Sequence, residues 1–242
     1  DHPILTSSEL EKLRSIDTGI FQAKTLQCYF RADGKPGSLE AGIERLCRYA
    51  DDAVRDGFEV IILSDRAIDS QHAAIPSILA VSAVHHHLIK TRNRGAVGLV
   101  VEAGDAWEVH HFACLLAFGA TAINPYLALA SIRTLKAEGL IDTDLEWEDL
   151  RKNYVKAVCS GLLKIFSKMG ISTLQSYHGA QIFEVLGIDQ SVVDKYFCGA
   201  VSRIGGLSLD DIAREALTKH WRSFEAPRNV KPLLPEGGIY QW

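Results

Sequence analysis

Two runs of adjacent histidines are the first residues that invite chemistry, His85-His86-His87 and His110-His111. Both fall in stretches of helical periodicity. Neighbouring helical side chains point about 100° apart, so no such run can chelate one metal alone. Neither contains the i, i+4 pair of a helical zinc site. The expectation is packed or hydrogen-bonded histidines and no zinc, unless one histidine from each helix meets the other across a sheet face.

Polar groups also cluster where apolar runs stop. Ser64-Asp65-Arg66 follows the buried-strand run Glu59–Leu63, and Glu102 with Asp105 follows Ala96–Val101. Asn124-Pro125-Tyr126 follows Gly119–Ile123. In sheets with helical crossovers, ligands gather at the carboxyl ends of strands. Asp65 and Glu102 invite an acid–base reading there. The plainer reading makes Asp65 and Arg66 a pair that fixes a loop, Asp105 an anionic helix start and Asn124 a turn residue. Gly205-Gly206 before Ser208 is a weak anion nest. No dinucleotide glycine fingerprint, P-loop or nucleophile elbow is present.

The elements that would position these groups alternate. Thr6-Ser7-Ser8-Glu9 is a capping box opening a helix to about Arg14. A strand spans Thr25–Phe30, and Ser38 caps a helix to about Arg55 with Leu39, Ile43, Leu46, Ala50, Ala53 and Val54 as its stripe. Residues 67–75 read as loop. Helices follow from Pro76 to Thr91, Asp105 to Phe118 and Tyr126 to Glu138. A long helix runs Leu145–Met169 behind a Thr143-x-x-Glu146 capping box, with Leu150, Tyr154, Val158, Leu162 and Phe166 in one row. Strand–helix–strand alternation gives an α/β fold: a mainly parallel sheet with helical crossovers, an incomplete β/α-barrel, plus extra C-terminal helices.

The stretch 161–187, GLLKIFSKMGISTLQSYHGAQIFEVLG, organises the second half. It breaks at Gly170, runs extended through Ile171–Leu174, turns at Ser176–Gly179 and enters a helix that stops at Gly187. Gln175, Ser176, Tyr177, His178 and Gln181 then form a surface after a strand. Asp189–Phe197 is a short helix, Arg203–Gly206 a loop and Ser208–Trp221 a last helix. An α/β domain covers 1–225, and the proline-rich 226–242 is an irregular tail.

The chain has 242 residues, net charge −4 and a pI near 6.1, which argues against nucleic acid and anionic membranes as partners. No apolar run reaches the roughly 18 residues a membrane span needs. The N-terminus Asp1-His2-Pro3-Ile4 is not a signal peptide and lacks an initiator methionine, which suggests processing or excision from a longer chain. Five cysteines without a C-x-x-C pair fit free thiols in the cytoplasm, and their scatter does not fit an iron–sulfur cluster.

Six phrases, in order, carry a resemblance: HPILT (2–6), VIILSDR (60–66), AAIPSILAVSAVHHHLI (73–89), VEAGDAWEVHHFACLLAFGATAINPYLA (101–128), SKMGISTLQSYHGAQIFEVLG (167–187) and SRIGGLSLDDI (202–212). They resemble the central region of the large, ammonia-channelling chain of glutamate synthase. His178 stands where that family usually has Arg. The resemblance implies a non-catalytic central domain between a glutaminase domain and an FMN and iron–sulfur synthase domain. It would help enclose the ammonia route in glutamate biosynthesis. FMN and the iron–sulfur cluster belong to the downstream domain, and this chain itself is expected to bind neither. GGIYQW (237–242) looks like the start of the synthase region. The expected interface or channel residues are Ser64, Asp65, Arg66, Asn124, Tyr126, Gln175, Ser176, Tyr177, His178, Gln181 and Arg203. The alternative is an autonomous small-molecule enzyme or binding protein working from Asp65, Glu102, Asn124 and His178 at the strand ends.

Overall fold

A computed structural model describes residues 2–16, 21–141 and 143–225; the tail 226–242 lies outside them. Thr6 caps α1 (Ser7–Arg14) through the anticipated capping box with Glu9. The chain then forms β1 (Ala23–Gln27), β2 (Tyr29–Arg31), α2 (Ser38–Arg55), β3 (Val60–Ser64), β4 (His72–Ala74) and α3 (Ser77–Lys90). It continues through β5 (Gly98–Glu102), α4 (Val109–Ala117), β6 (Ala122–Asn124), α5 (Tyr126–Ala137) and α6 (Trp147–Met169). Last come α7 (Leu174–Tyr177), β7 (Glu184–Ile188), α8 (Gln190–Tyr196), β8 (Val201–Leu207) and α9 (Leu209–Glu225).

Four strands form one parallel sheet in the order β1-β3-β5-β6. Their side chains alternate, so each strand supplies both faces. Leu26, Ile61, Leu63, Leu99, Val101 and Ile123 point into the large core beneath α2, α3 and α4. Ile62 and Val100 point the other way and meet Leu10 of α1. In a closed barrel that second face is the interior, covered by opposite strands. Here α1 lies on it, and among the described residues no further strand joins this sheet. The outer edge of β6 is covered by Pro3–Leu5: Leu5 N–H donates to the Ile123 carbonyl at 2.8 Å, and Ile123 N–H to that of Pro3 at 2.8 Å. A sheet edge paired in this way no longer offers itself to other chains.

Several boundaries differ from the sequence reading. Residues 67–75 contain β4, which pairs antiparallel with β2. The helix expected from Asp105 begins at Val109, because Asp105 is held by Ser77 N–H at 3.0 Å. Thr143 accepts from Leu145 N–H instead of capping α6, which starts after Glu146. Gly161 lets α6 approach α4; a Cβ there would sit 2.6 Å from the Val109 methyls.

The stretch 161–187 needs more correction. Gly170 ends α6 in the left-handed conformation, as its type suggests (φ 68°). Beyond it no strand forms over 171–174. Thr173 caps the single turn α7 instead. The helix expected up to Gly187 is strand β7, and the loop expected at Arg203–Gly206 belongs to β8, its parallel partner. The reason is a period of two: Val185 packs on the core while Glu184 and Leu186 face out. Gly206 is required because a Cβ would meet the Gly187 carbonyl oxygen at 2.3 Å.

Tyr177 is not a surface residue. It is fully buried, its ring centroid lies 4.2 Å from that of Phe166, and its hydroxyl donates to the Ala113 carbonyl at 3.2 Å. α7 turns the ring inward between α4 and α6, so the phenol joins the core rather than a docking surface. Among the described residues no helix is long and apolar enough to cross a membrane. Tyr177→Ala is expected to cost about 3–5 kcal/mol in urea unfolding, as for other buried aromatic truncations. Exposed Gln175→Ala should stay within about 0.5 kcal/mol.

Candidate functional site

The register sets one row of side chains across the carboxyl ends of the strands. Gln27 lies beside Ser64, Ser64 beside Glu102, and Glu102 beside Asn124. Ser64, Glu102 and Asn124 share the parity of Ile62 and Val100, so all three sit on the α1 face. The Glu102 side chain is completely buried. Its carboxylate accepts from the Ser64 hydroxyl at 2.6 Å, from the Arg66 guanidinium at 3.3 Å and from Arg14 at the end of α1. Arg14 also reaches the Thr25 hydroxyl at 3.4 Å. Asn124 donates to the Leu5 carbonyl at 2.8 Å, which fastens the N-terminal segment. Thus Ser64, Arg66 and Asn124 do converge, around a glutamate that the fold fully occupies. Arg14 escaped the sequence reading, since only tertiary packing brings α1 onto this face.

Asp65 points elsewhere. Its Oδ2 accepts from Gly104 N–H at 2.7 Å, and the Tyr126 hydroxyl lies beside the carboxylate. Gly104 must be glycine for this approach, because a Cβ would stand 2.9 Å from the Tyr126 oxygen. The expected Asp65–Arg66 pair does not form: Arg66 binds Glu102 and lies 4.7 Å over the Tyr126 ring. Burial, reinforced by Asp105 and Glu102, pushes the Asp65 carboxyl up to about 6 against the hydrogen bonds that favour its charge. Asp65 and Tyr126 line a cavity of about 290 Å³ closed on its far side by α9. A carboxyl that titrates near neutrality in a cavity can bind a cation or exchange a proton.

His178, Gln181, Gln175, Ser176 and Arg203 lie away from these strand ends. Gly179 N–H donates to the Ala117 carbonyl at 2.9 Å, which places the segment at the end of α4, where the chain enters β6. Arg94 organises this opposite end, donating to His85 Nδ1 at 2.8 Å and to the Gly119 carbonyl at 2.9 Å. Burial first, then Arg94, lowers the His178 pKa and takes that of His85 down to about 3, so both rings are neutral. Arg203 pairs with Glu184 at 3.1 Å on the exposed β7–β8 pair. Gln175, Ser176 and Gln181 are exposed.

The remaining histidines have separate duties. His87 binds Asp51 at 2.6 Å, and His111 Nδ1 accepts the N–H groups of Trp107 and Glu108 at the start of α4. His110 lies 3.5 Å from Cys114, whose thiol burial pushes up to about 11, away from reactive thiolate. No group of three His, Cys, Asp or Glu is placed to hold a metal ion among the described residues.

The family model for the glutamate synthase central domain matches residues 1–189. Glutamate synthase [NADH] of Schizosaccharomyces pombe is 41% identical over 244 residues, covering 99% of this chain and 12% of that protein. The glutamate synthase [NADPH] large chain of Bacillus subtilis is 39% identical over 240 residues, 99% of this chain and 15% of that one. The chloroplastic ferredoxin-dependent glutamate synthase of Oryza sativa is 45% identical over 234 residues, 92% of this chain and 14% of that one. The chain therefore spans 12–15% of the length of these relatives. Among solved structures, a flavocytochrome b2 variant with benzoylformate aligns at a TM-score of 0.50 and 10% identity, over 72% of this chain and 37% of that one. That likeness shows fold alone, a β/α-barrel frame of which this chain builds an open part.

The Asp65 carboxyl gives a pH test. Its folded pKa, about 6, lies above the ordinary 3.8. The fold therefore favours the protonated form; this contribution is complete below about pH 4 and is lost as pH rises through 6. Asp65→Asn removes the titration. Between pH 4 and 7 the wild type should lose about 2 kcal/mol relative to Asp65→Asn in denaturant unfolding. Parallel stability curves for the two proteins would contradict the assignment.

Proposed function

The chain belongs to the glutamate synthase central-domain family, and from that premise we propose that it acts as a connector without turnover of its own. In this reading it joins a glutaminase domain to an FMN and iron–sulfur synthase domain within one longer polypeptide. It helps enclose the path by which ammonia passes between them in glutamate biosynthesis. The cofactors belong to the synthase domain.

One observation carries the reading. β7 and β8 form a parallel pair with an uncovered apolar face: Leu186 is 60% exposed and Ile204 61%, with Val201 beside them. Parallel strands are normally covered on both faces, and a two-stranded sheet is marginal alone. The family model ends at residue 189, between these strands, while the relatives are several times longer than this chain. A neighbouring domain of the same polypeptide is the occupant that this position favours. The docking role expected of Tyr177 thus passes to Leu186, Val201 and Ile204. The completed hydrogen bonding of Glu102, Ser64 and Arg66 supports a framework role for those strand ends.

Ile204→Asp tests the reading in a full-length large chain. Glutamine hydrolysis should continue while the glutamate formed per glutamine hydrolysed falls by about half or more, because a poorly seated domain leaks ammonia. The same change should alter the stability of the isolated chain by no more than about 0.5 kcal/mol. Unchanged coupling in the full-length protein would remove the β7–β8 face as the docking surface.

A further inference from the structure

We propose that the cavity between the Asp65 strand end and α9 is a binding site for a small primary amine in its ammonium form. Asp65 Oδ1 and His220 Nε2 are both buried and have no hydrogen-bond partner among the described residues. Each belongs to a residue only 7% exposed, and both residues line the same 290 Å³ cavity. A buried polar atom without a partner is costly to the fold unless something bonds to it. The two such atoms here sit on residues from different elements that line one cavity.

The chemistry of the pair selects the ligand. Asp65 Oδ2 already accepts from Gly104 N–H, while Oδ1 has no partner among the described residues. A neutral His220 with its proton on Nδ1 presents Nε2 as a second acceptor. The complementary group carries several N–H donors and a positive charge. Asp105 and Glu215 line the same cavity and add negative charge. Lys219 lines it as well, as an exposed residue of α9. Ile68, Leu127 and Phe224 supply apolar wall for an alkyl body. The volume is at the small end of ligand sites, which limits the guest to a few heavy atoms. The roof, α9, lies beyond the residues matched by the family model. The site is therefore built jointly by the family's strand ends and a helix outside that match.

Titration of the whole 242-residue chain with n-butylammonium, n-butanol and butyrate separates charge from apolar bulk. Calorimetry gives the affinity, and the Gly104 amide resonance reports on Asp65. Butylammonium should bind at least about tenfold tighter than either control and shift the Gly104 amide. Asp65→Asn and His220→Phe should each weaken it about tenfold or more, with thermal melts confirming the fold. Glu215→Gln, on the exposed side of α9, should weaken it about two- to threefold and serves if either core variant fails to fold. Affinity should also fall about tenfold or more from pH 7 to pH 5. Asp105, Glu102 and Tyr126 face Asp65 from its own side, and Glu215, Lys219 and His220 from α9; protonating Asp65 in this window removes the charge that holds the ligand. Equal binding of the three probes, no saturable butylammonium binding, or binding unaffected by both Asp65→Asn and Glu215→Gln would overturn the proposal.

Discussion

Glu102 holds its carboxylate on the inner face of an open half-barrel, out of contact with water, and three elements reach it there. Ser64 comes from β3, Arg66 from the turn after it, and Arg14 from α1. The rest of the architecture depends on this contact because of what α1 must do. With four strands in this sheet among the described residues, the face that opposite strands would cover in a closed barrel has to be covered by something else. α1 is short and contributes few apolar groups, with Leu10 buried on Ile62 and Val100 and Leu13 beside them. A helix of eight residues is marginal without tertiary support. The Arg14–Glu102 contact fixes one end of it, while Leu5 and Asn124 fix the segment that leads into it. A buried ion cluster of this kind adds little net stability over an apolar equivalent, but losing one partner leaves an uncompensated charge. Its value is in deciding where α1 lies.

The same constraint explains the division of labour at the strand ends. Side-chain parity sends Ser64, Glu102 and Asn124 inward to α1, where Ser64 and two arginines bind the Glu102 carboxylate and the Asn124 amide N–H binds Leu5. Asp65, one position further on, turns to the other side and meets Gly104 and Tyr126. One end of the sheet therefore carries a closed structural cluster and, next to it, a carboxyl with an open valence beside a cavity. The exposed apolar face of β7–β8 lies elsewhere.

Much of the central sheet was legible from sequence. Ile61-Ile62-Leu63 and Leu99-Val100-Val101 are apolar runs buried on both faces, which is the signature of parallel strands. Thr6 and Glu9 announced α1, and the α2 stripe is buried as its period requires. The convergence of Ser64, Arg66 and Asn124 followed from their places at strand ends. What sequence did not reveal depends on long-range packing. Nothing local shows that Arg14 will cross the inner face. β7 looked helical because five residues with a terminal glycine give either period room to fit. Tyr177 looked like a surface residue because its neighbours Gln175, Ser176 and His178 are polar, yet one turn of helix was enough to rotate its ring into the core. His220 carried no signal until α9 closed over Asp65.

A double-mutant cycle between Arg14→Met and Glu102→Gln tests the central claim that the strand-end carboxylate is a structural clamp for α1. Unfolding free energies of the four proteins should give a coupling of about 2–3 kcal/mol, since each single change strands the other partner. Amide exchange across α1 should accelerate in both single variants. Additive effects, with α1 protection unchanged when Glu102 is neutralised, would show that α1 is held by apolar contact alone and would contradict the account.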